Sequence, residues 1–337
     1  MHSINVILEA ILQVYPDIFQ LKIPLPDKQL NTLNAYVIKS EDGAMLIDTG
    51  WNTDQAYEAL QSQLAEIDLT ISDLKFVVIT HFHPDHIGLI DRLSKDSQAV
   101  FIQHTAEHNL IQQRRHESKM NLSEMENWLV LNGMPPQLNS ELNDLTVSIF
   151  KLGNNGSKYQ LVSGKEKVAF GRFNFEIVWT PGHSPGMICL YEKEHALLFS
   201  ADHVLAHTTP NISLFIAEGG NPLGDYLDSL NRVASLPVKL TLPAHGNLIS
   251  DLMTRVNEII AHHEARLQEM LQVMDKQSIN AYQLAAAVSW SMDWQQMPSF
   301  HKRFALTETL AHLELLRIRE QLLRKKSNGI FEYQIKD

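Results

Sequence analysis

Short apolar runs alternate with helical patterns along the first part of the chain. The segments "IFQLKIPL", "LNAYVIKS" and "AMLID" predict three strands, with "SEDG" as a hairpin turn before the third. Apolar residues at Ala56, Leu60, Leu64 and Ile67 have the spacing of an amphipathic helix. "KFVVIT", "HIGLIDRLS" and "AVFIQH" then predict a strand, a short helix and a strand. This alternation indicates an α/β sandwich.

The middle of the chain changes from a polar helical pattern back to strands. Residues from Thr105 to about 155 predict a helical insertion. Strand patterns return in "KVAFGRFNFEIVWTPG", "MICLYEKEHALLFSAD" and "KLTLPAHG", and "NPLGDYLDSLNRVASL" predicts a helix among them. The strand-rich second half therefore mirrors the first, and we predict one large domain over residues 1–249.

A different pattern begins near residue 250. "DLMTRVNEIIAHHEARLQEMLQVM" carries one apolar stripe from Leu252 to Met274, as in a long amphipathic helix. "NAYQLAAAVSW" and "ALTETLAHLELLRIREQL" predict two more helices. Asn328–Gly329 separates two strand-like runs and is a strong hairpin signal. We therefore predict a small winged-helix-like domain over residues 250–337.

Length, charge and cysteine content disfavour several classes of function. A chain of 337 residues is longer than one hydrophobic core usually organises, which agrees with a large and a smaller domain. The net charge of −11 disfavours a non-specific nucleic-acid binder, which needs a basic face. No apolar run approaches the roughly 20 residues of a membrane span, so no membrane partner is expected. The single cysteine, Cys189, excludes an intramolecular disulfide and fits a cytoplasmic location. It is predicted to lie in the core.

Metal-binding residue types cluster directly after the predicted strand "FVVIT". His81, His83, Asp85 and His86 follow within "HFHPDH", and Pro84 stiffens the turn. A loop after a strand holds such side chains rigidly without burying them unpaired on a packed face. Imidazoles and a carboxylate suit Zn²⁺, Mn²⁺ or Fe²⁺. Four donors this close can serve two ions, but each ion needs further ligands.

Three later strand ends each supply one more candidate ligand. His183 follows "FEIVW" in a Gly/Pro-rich turn, Asp202 follows "ALLFSA", and His245 follows "KLTLPA". A single histidine after a strand is more often a hydrogen-bonded structural residue. The same pattern at four independent strand ends is not expected by chance, and it predicts one metal site built from all seven side chains.

This residue set resembles the metallo-β-lactamase fold superfamily. The motif HxHxDH over residues 81–86, the three later ligands, and "LIDTG" with Asp48 all match that family, over about residues 15–250. The resemblance implies an αββα sandwich with a dinuclear metal site at one edge of its two sheets. It also implies these roles: His81, His83 and His183 at the first metal, Asp85, His86 and His245 at the second, Asp202 bridging, and Asp48 hydrogen-bonded to the ligand loop.

Three details refine the resemblance. Ala201 and Ala244 stand where the family often has glycine, and the expected effect is a shifted backbone, not a lost metal. Asp202 stands where the true zinc β-lactamases carry cysteine, which points towards the glyoxalase II, lactonase and RNase Z-like branches. The C-terminal half resembles bacterial metallohydrolases with a C-terminal winged-helix domain, an architecture that the lactamase-β-like endoribonucleases share.

The leading hypothesis is a hydrolase of a small ester, thioester or lactone. Hydroxide formed at two divalent ions, with Zn²⁺ first and Mn²⁺ or Fe²⁺ as alternatives, would attack the substrate, and Asp85 would orient that nucleophile and take its proton. The alternative is an endoribonuclease with RNA as partner. Its support is a basic cluster on the last helix and hairpin: Arg317, Arg319, Arg324, Lys325 and Lys326. A homodimer is an open alternative to a monomer.

Two other classes fit less well. A nucleic-acid-binding regulator with a structural metal would have a closed site, usually of four ligands. Mononuclear dioxygenases of the same fold lack the second set of ligands that this sequence carries. Among the other residues, His203 is predicted to be a surface or supporting residue and His104 a surface residue. The loop from His207 to Asn211 is a candidate lining of the substrate pocket.

Overall fold

The computed structural model describes residues 11–26, 31–116, 118–138, 158–215, 219–275 and 277–336. Its first sheet has seven strands that pair in chain order. They are β1 (Leu12–Tyr15), β2 (Ile18–Pro24), β3 (Thr32–Ser40), β4 (Gly43–Ile47), β5 (Leu74–Ile79), β6 (Val100–His104) and β7 (Lys158–Val162). The pairs are antiparallel from β1 to β4 and parallel from β4 to β7.

The second sheet has five strands in the order β12-β11-β10-β9-β8. They are β8 (Lys167–Phe170), β9 (Phe173–Trp179), β10 (Ile188–Glu192), β11 (Leu197–Ala201) and β12 (Leu240–Pro243). Only the β11–β12 pair is parallel. This parallel pair needs a crossover connection, and a helix between residues 201 and 240 provides it.

Helices cover the outer faces of both sheets. Those in the described part of the first 250 residues are α1 (Asp54–Glu66), α2 (Pro84–Ile87), α3 (Ile90–Asp96), α4 (Thr105–His116), α5 (Ser118–Leu131) and α6 (Pro222–Ala234). α1 begins after Thr53, whose hydroxyl accepts a hydrogen bond from the Ala56 N–H. The apolar residues of α1 and α3 pack on the first sheet, and α6 packs beyond the second.

Strand β10 shows how the layers form. Ile188 and Leu190 point into the apolar core between the two sheets. Cys189 and Tyr191 point the opposite way, into the core under the outer helices. Successive side chains of a strand alternate between its faces, so a strand buried on both sides reads as a continuous apolar run. The predicted αββα sandwich is confirmed, and Cys189 is a core residue.

The C-terminal region contains three helices and a small sheet. The helices are α7 (Leu252–Met274), α8 (Ala281–Ala287) and α9 (Ser299–Ile318), and the sheet order is β13 (Ile279–Asn280), β15 (Ile330–Ile335), β14 (Leu322–Ser327). Asn328 and Gly329 have φ angles of 50° and 84°. Positive φ at both positions is the conformation of a type I′ hairpin turn, so the predicted hairpin is present.

This region shares one core with the second sheet. Residues of α6, α7 and α9 lie in the same apolar cluster as Cys189, Tyr191 and Leu198 of the sheet. The boundary at residue 249 and the winged-helix class therefore stay predictions. Residues 139–155 of the predicted insertion lie outside the described residues, and its described part is helical, in α4 and α5. Within the described ranges, no helix is both long and apolar enough to cross a bilayer.

Candidate metal centre

Five strand ends carry the candidate residues. Asp48 follows β4 and the loop from Thr80 follows its parallel neighbour β5, so the two lie side by side. In the second sheet, β9 and β11 are both antiparallel to β10, and β12 is parallel to β11. The carboxyl ends of β9, β11 and β12 therefore face the same way. All seven candidate ligands come together where these two sheet edges meet.

The first cluster contains His81, His83, His183 and Asp202. Nδ1 of His83 lies 2.9 Å from Nε2 of His81 and 2.9 Å from Nε2 of His183. Oδ2 of Asp202 lies 3.5 Å from Nε2 of His183 and 3.9 Å from Nε2 of His81. Ligand nitrogens about 2 Å from a tetrahedral zinc ion are roughly 3.3 Å apart, so three nitrogens and one oxygen surround a point that suits an ion.

The second cluster contains Asp85, His86 and His245. Oδ2 of Asp85 lies 3.2 Å from Nε2 of His245 and 3.5 Å from Nε2 of His86. Asp202 reaches this cluster as well, because its Oδ2 is 3.5 Å from Nε2 of His86 and its Oδ1 is 3.5 Å from Nε2 of His245. Asp202 thus stands between the two clusters, where a bridging ligand is expected.

Unpaired polar atoms give an independent indication of a bound ion. Nε2 of His86, Nε2 of His245 and Oδ1 of Asp202 are buried and have no hydrogen-bond partner among the described residues. Buried polar atoms are almost always paired, because an unpaired one costs its desolvation free energy. These three atoms point into the clusters. The two clusters are therefore compatible with a dinuclear metal site.

The other ring nitrogens are held by outer contacts. The Nδ1–H of His86 donates to Oδ2 of Asp48 at 2.8 Å. The Nδ1–H of His183 donates to the Asn211 carbonyl at 2.9 Å, and that of His245 donates to the Thr32 carbonyl at 3.0 Å. A proton on Nδ1 leaves the Nε2 lone pair free. Each of these three imidazoles is therefore fixed in the tautomer and orientation that a metal ligand at Nε2 needs.

The charges of the site also suit cations. Burial, together with neighbouring imidazoles, lowers the pKa of His81 well below its usual value and that of His83 to about 3. Burial alone would raise the pKa of the Asp85 and Asp202 carboxyls, but the neighbouring imidazoles, His86 first and then His245, together outweigh it and lower both. His81 and His83 are therefore neutral and both carboxylates ionised, and these are the forms that bind divalent ions.

Asp48 lies where the resemblance implied, beneath the ligand loop. It is 2% exposed, and its Oδ1 accepts from the Thr80 N–H at 2.9 Å while its Oδ2 accepts from the Thr80 hydroxyl at 2.8 Å and from His86. Both carboxylate oxygens therefore face donors. Asp48 has a φ of 59°, a left-handed conformation that aspartate tolerates better than most residues.

Replacing Asp48 with asparagine should weaken metal binding. The new amide NH₂ must face a donor, either the Thr80 N–H, which loosens the ligand loop, or the His86 Nδ1–H, which frees the ring of His86. Changes to such supporting residues typically cost 10–100-fold in metal affinity, and we expect that loss for the second cluster. Competition with a chelator measures it. Asp68→Asn, at a carboxylate that is 96% exposed, is the control, and equal affinities in both variants would contradict the assignment.

No local sequence pattern points to Glu107 of α4, which joins two ligand loops. Its side chain is 0% exposed, and Oε2 accepts from the Phe82 N–H at 2.8 Å, between His81 and His83. Oε1 accepts from the Ser184 hydroxyl at 2.8 Å and from the Gly186 N–H at 2.6 Å, just after His183. One buried carboxylate thus sets the spacing of two loops that come from different sheets.

The structure also tests the predictions for His104, His203 and Ala201. His104 is only 6% exposed and stacks on Trp179 at 5.4 Å, so its predicted surface position is wrong. His203 is 0% exposed and lies against Tyr226, which leaves the supporting role and excludes the surface one. Ala201 has a φ of 48°, the left-handed region that glycine favours. Alanine there keeps the backbone shape at some cost in strain.

The family model of the metallo-beta-lactamase superfamily matches residues 31–245, from β3 to the last candidate ligand. The chain belongs to this superfamily. The probable metallo-hydrolase YqjP of Bacillus subtilis is 26% identical over 314 residues, which are 91% of this chain and 94% of that protein. The lactamase-like protein adaB of Aspergillus niger is 27% identical over 249 residues, 74% of this chain but 60% of that protein.

Solved structures of this superfamily extend the likeness to nearly the whole chain. A metallo-beta-lactamase family protein from Thermus thermophilus has a TM-score of 0.81 at 28% identity, and the match covers 96% of this chain and 99% of that one. A subclass B3 metallo-beta-lactamase of Bradyrhizobium japonicum has a TM-score of 0.53 at 17% identity over 79% of this chain and 97% of that one, which shows the fold alone. The protein is a metallo-hydrolase of this superfamily.

Proposed function

We propose that this metallo-hydrolase cleaves a small ester, thioester or lactone at two divalent metal ions, with Zn²⁺ as first choice and Mn²⁺ or Fe²⁺ as alternatives. The observation that carries the proposal is the position of Asp202 between two adjacent clusters of His and Asp side chains. We place this activity in the cytoplasm, in agreement with a single, buried cysteine.

Two ions bound in these clusters would supply hydroxide at neutral pH and polarise the carbonyl oxygen of a substrate. The side chains of the protein itself position the reacting groups and exchange protons. Asp85 has a side chain that is 13% exposed, and Asp202 one that is 11% exposed, so substrate reaches the site from the side of these two carboxylates. Asp85, which is ionised, would orient the attacking water and accept its proton.

Part of the positive charge of the C-terminal basic cluster is already paired. Arg317 contacts Glu314 at 2.6 Å and Arg319 contacts Glu264 at 2.7 Å, while Lys325 is opposite Glu332 in the register of the hairpin. The other two, Arg324 and Lys326, lie over the Phe331 ring. Phosphate backbones are bound by unpaired basic faces, so these pairings favour a small substrate over RNA.

A substrate panel tests this choice. Protein loaded with zinc would be assayed with thioesters, lactones, aryl esters, bis-p-nitrophenyl phosphate and single-stranded RNA. We expect one of the carboxylic acid derivatives to be hydrolysed with kcat/KM of about 10⁴ M⁻¹ s⁻¹ or more, the lower range of natural enzymes. The chelator-treated protein is the control. A higher kcat/KM on RNA than on every ester, thioester and lactone would establish the endoribonuclease alternative.

A further inference from the structure

A short loop connects the first metal cluster to the C-terminal region. The carbonyl oxygen of Asn211 accepts the Nδ1–H of His183 at 2.9 Å. Two residues later, the Ser213 hydroxyl contacts the Thr307 hydroxyl at 2.8 Å, and the Leu214 N–H donates to the Thr307 carbonyl at 3.0 Å. Thr307 belongs to α9. The loop that holds a candidate metal ligand is therefore fastened to a helix that lies more than ninety residues later in the chain.

The side chain of Asn211 is fixed from both ends. Its Nδ2 donates to Oε2 of Glu308 at 2.6 Å, and its Oδ1 accepts from the hydroxyl of Ser213. These two bonds define which end of the amide is oxygen and which is nitrogen. With both ends held, the backbone carbonyl of Asn211 has little freedom to turn away from His183.

Helix α9 is itself a rigid support. Thr307, Thr309 and His312 on it are 0% exposed. The Nδ1–H of His312 donates to the Glu308 carbonyl at 2.8 Å, so its Nε2 accepts from Nδ1–H of His263 on α7 at 3.2 Å. α9 is thus tied to α7. Burial of the Glu308 carboxyl of α9 raises the pKa of that carboxyl to about 7.

We propose that Glu308 is a positioning residue for the metal ligand His183, so that the C-terminal region takes part in building the metal site. Glu308 holds Asn211, the Asn211 carbonyl holds Nδ1 of His183, and Nε2 of that ring then faces His83 and Asp202. The proposal rests on the metal site but not on the identity of the substrate.

Metal retention tests the proposal without a substrate. Zinc-loaded Glu308→Ala would be dialysed against increasing chelator, and the zinc remaining per chain would be measured. We expect the ion of the His183 cluster to be lost at about tenfold lower chelator concentration, because changing a supporting residue typically weakens metal binding by 10–100-fold. The other ion should be retained as in the unchanged protein. Glu308→Gln keeps an oxygen that accepts from Asn211, and we expect it to retain both ions.

Two further variants complete the experiment. Glu314→Ala removes a carboxylate of the same helix that pairs with Arg317, so it should retain both ions. Asn211→Ala removes the same hydrogen bond from its other end, and it serves if Glu308→Ala does not fold. The double variant should lose no more than either single one. Retention of both ions in Glu308→Ala, or parallel loss of both, would overturn the proposal, whichever substrate the enzyme hydrolyses.

Discussion

Asparagine in place of Asp202 is expected to reduce hydrolysis about 1000-fold, the rate equivalent of several kcal/mol of lost charge stabilisation at the metals. Among the residues that the structure describes, Asp202 is the one carboxylate whose oxygens lie 3.5 Å from nitrogens of both clusters. Removing its charge leaves the first cluster with neutral donors only. We therefore expect fewer than one bound ion per chain after dialysis, against two in the unchanged protein.

The measurement is metal content and kcat/KM on the same preparation. Asp68→Asn is the control, because it makes the same chemical change at an exposed carboxylate. Circular dichroism establishes that the Asp202 variant is folded. Two tightly bound ions in that variant, with activity lost, would show that Asp202 acts in catalysis but does not hold metal.

Alanine in place of Glu107 is expected to lower the free energy of unfolding by about 4 kcal/mol. The change leaves the Phe82 N–H, the Gly186 N–H and the Ser184 hydroxyl without their acceptor. A buried donor left unpaired costs about 1–3 kcal/mol, and water entering the new space recovers part of that cost. The loops of His81–His83 and of His183 would also lose their common anchor, so the metal should bind more weakly.

Urea unfolding of the metal-free protein measures the stability effect separately from the metal. Glu107→Gln keeps the oxygen that accepts from Ser184 and Gly186 but turns an amide NH₂ towards the Phe82 N–H. The free energy of unfolding should therefore fall by less than in Glu107→Ala. Glu58→Ala, at an exposed carboxylate of α1, should change the free energy by less than about 0.5 kcal/mol. A Glu107→Ala protein as stable as Glu58→Ala would contradict the anchoring role.

The ligand set could be predicted because its signals are local. Each candidate ligand follows an apolar strand directly, and strands are recognised from a few neighbouring residues. The order of strands and helices also indicated the sandwich, since few arrangements bury such elements. The residues His81, His83, Asp85 and His86 stand close together in the chain, because neighbouring ligands in the motif are at most two positions apart. The same pattern at three later strand ends predicted that His183, Asp202 and His245 join them, and the resemblance assigned each of them to a metal.

The residues that hold these ligands could not be predicted from local patterns. Glu107 reads as an ordinary helix carboxylate, and it becomes a buried anchor only because α4 packs beside two ligand loops. His104 reads as a surface residue, and Trp179 from another sheet covers it. Their burial depends on contacts between segments far apart in the chain, which neighbouring residues do not encode.

The sequence by itself determined the strands, the ligand types at their ends and the class of metal they suit, because these depend on short-range periodicity and on side-chain chemistry. The resemblance implied that Asp202 bridges two metals and that Asp48 supports the ligand loop, whereas the distances from Asp202 to both clusters and the hydrogen bond from His86 to Asp48 came from the tertiary structure. It alone placed the loop of Asn211 against α9. The physical reason is that a metal site needs atoms placed to a fraction of an ångström, and only long-range packing positions atoms so closely.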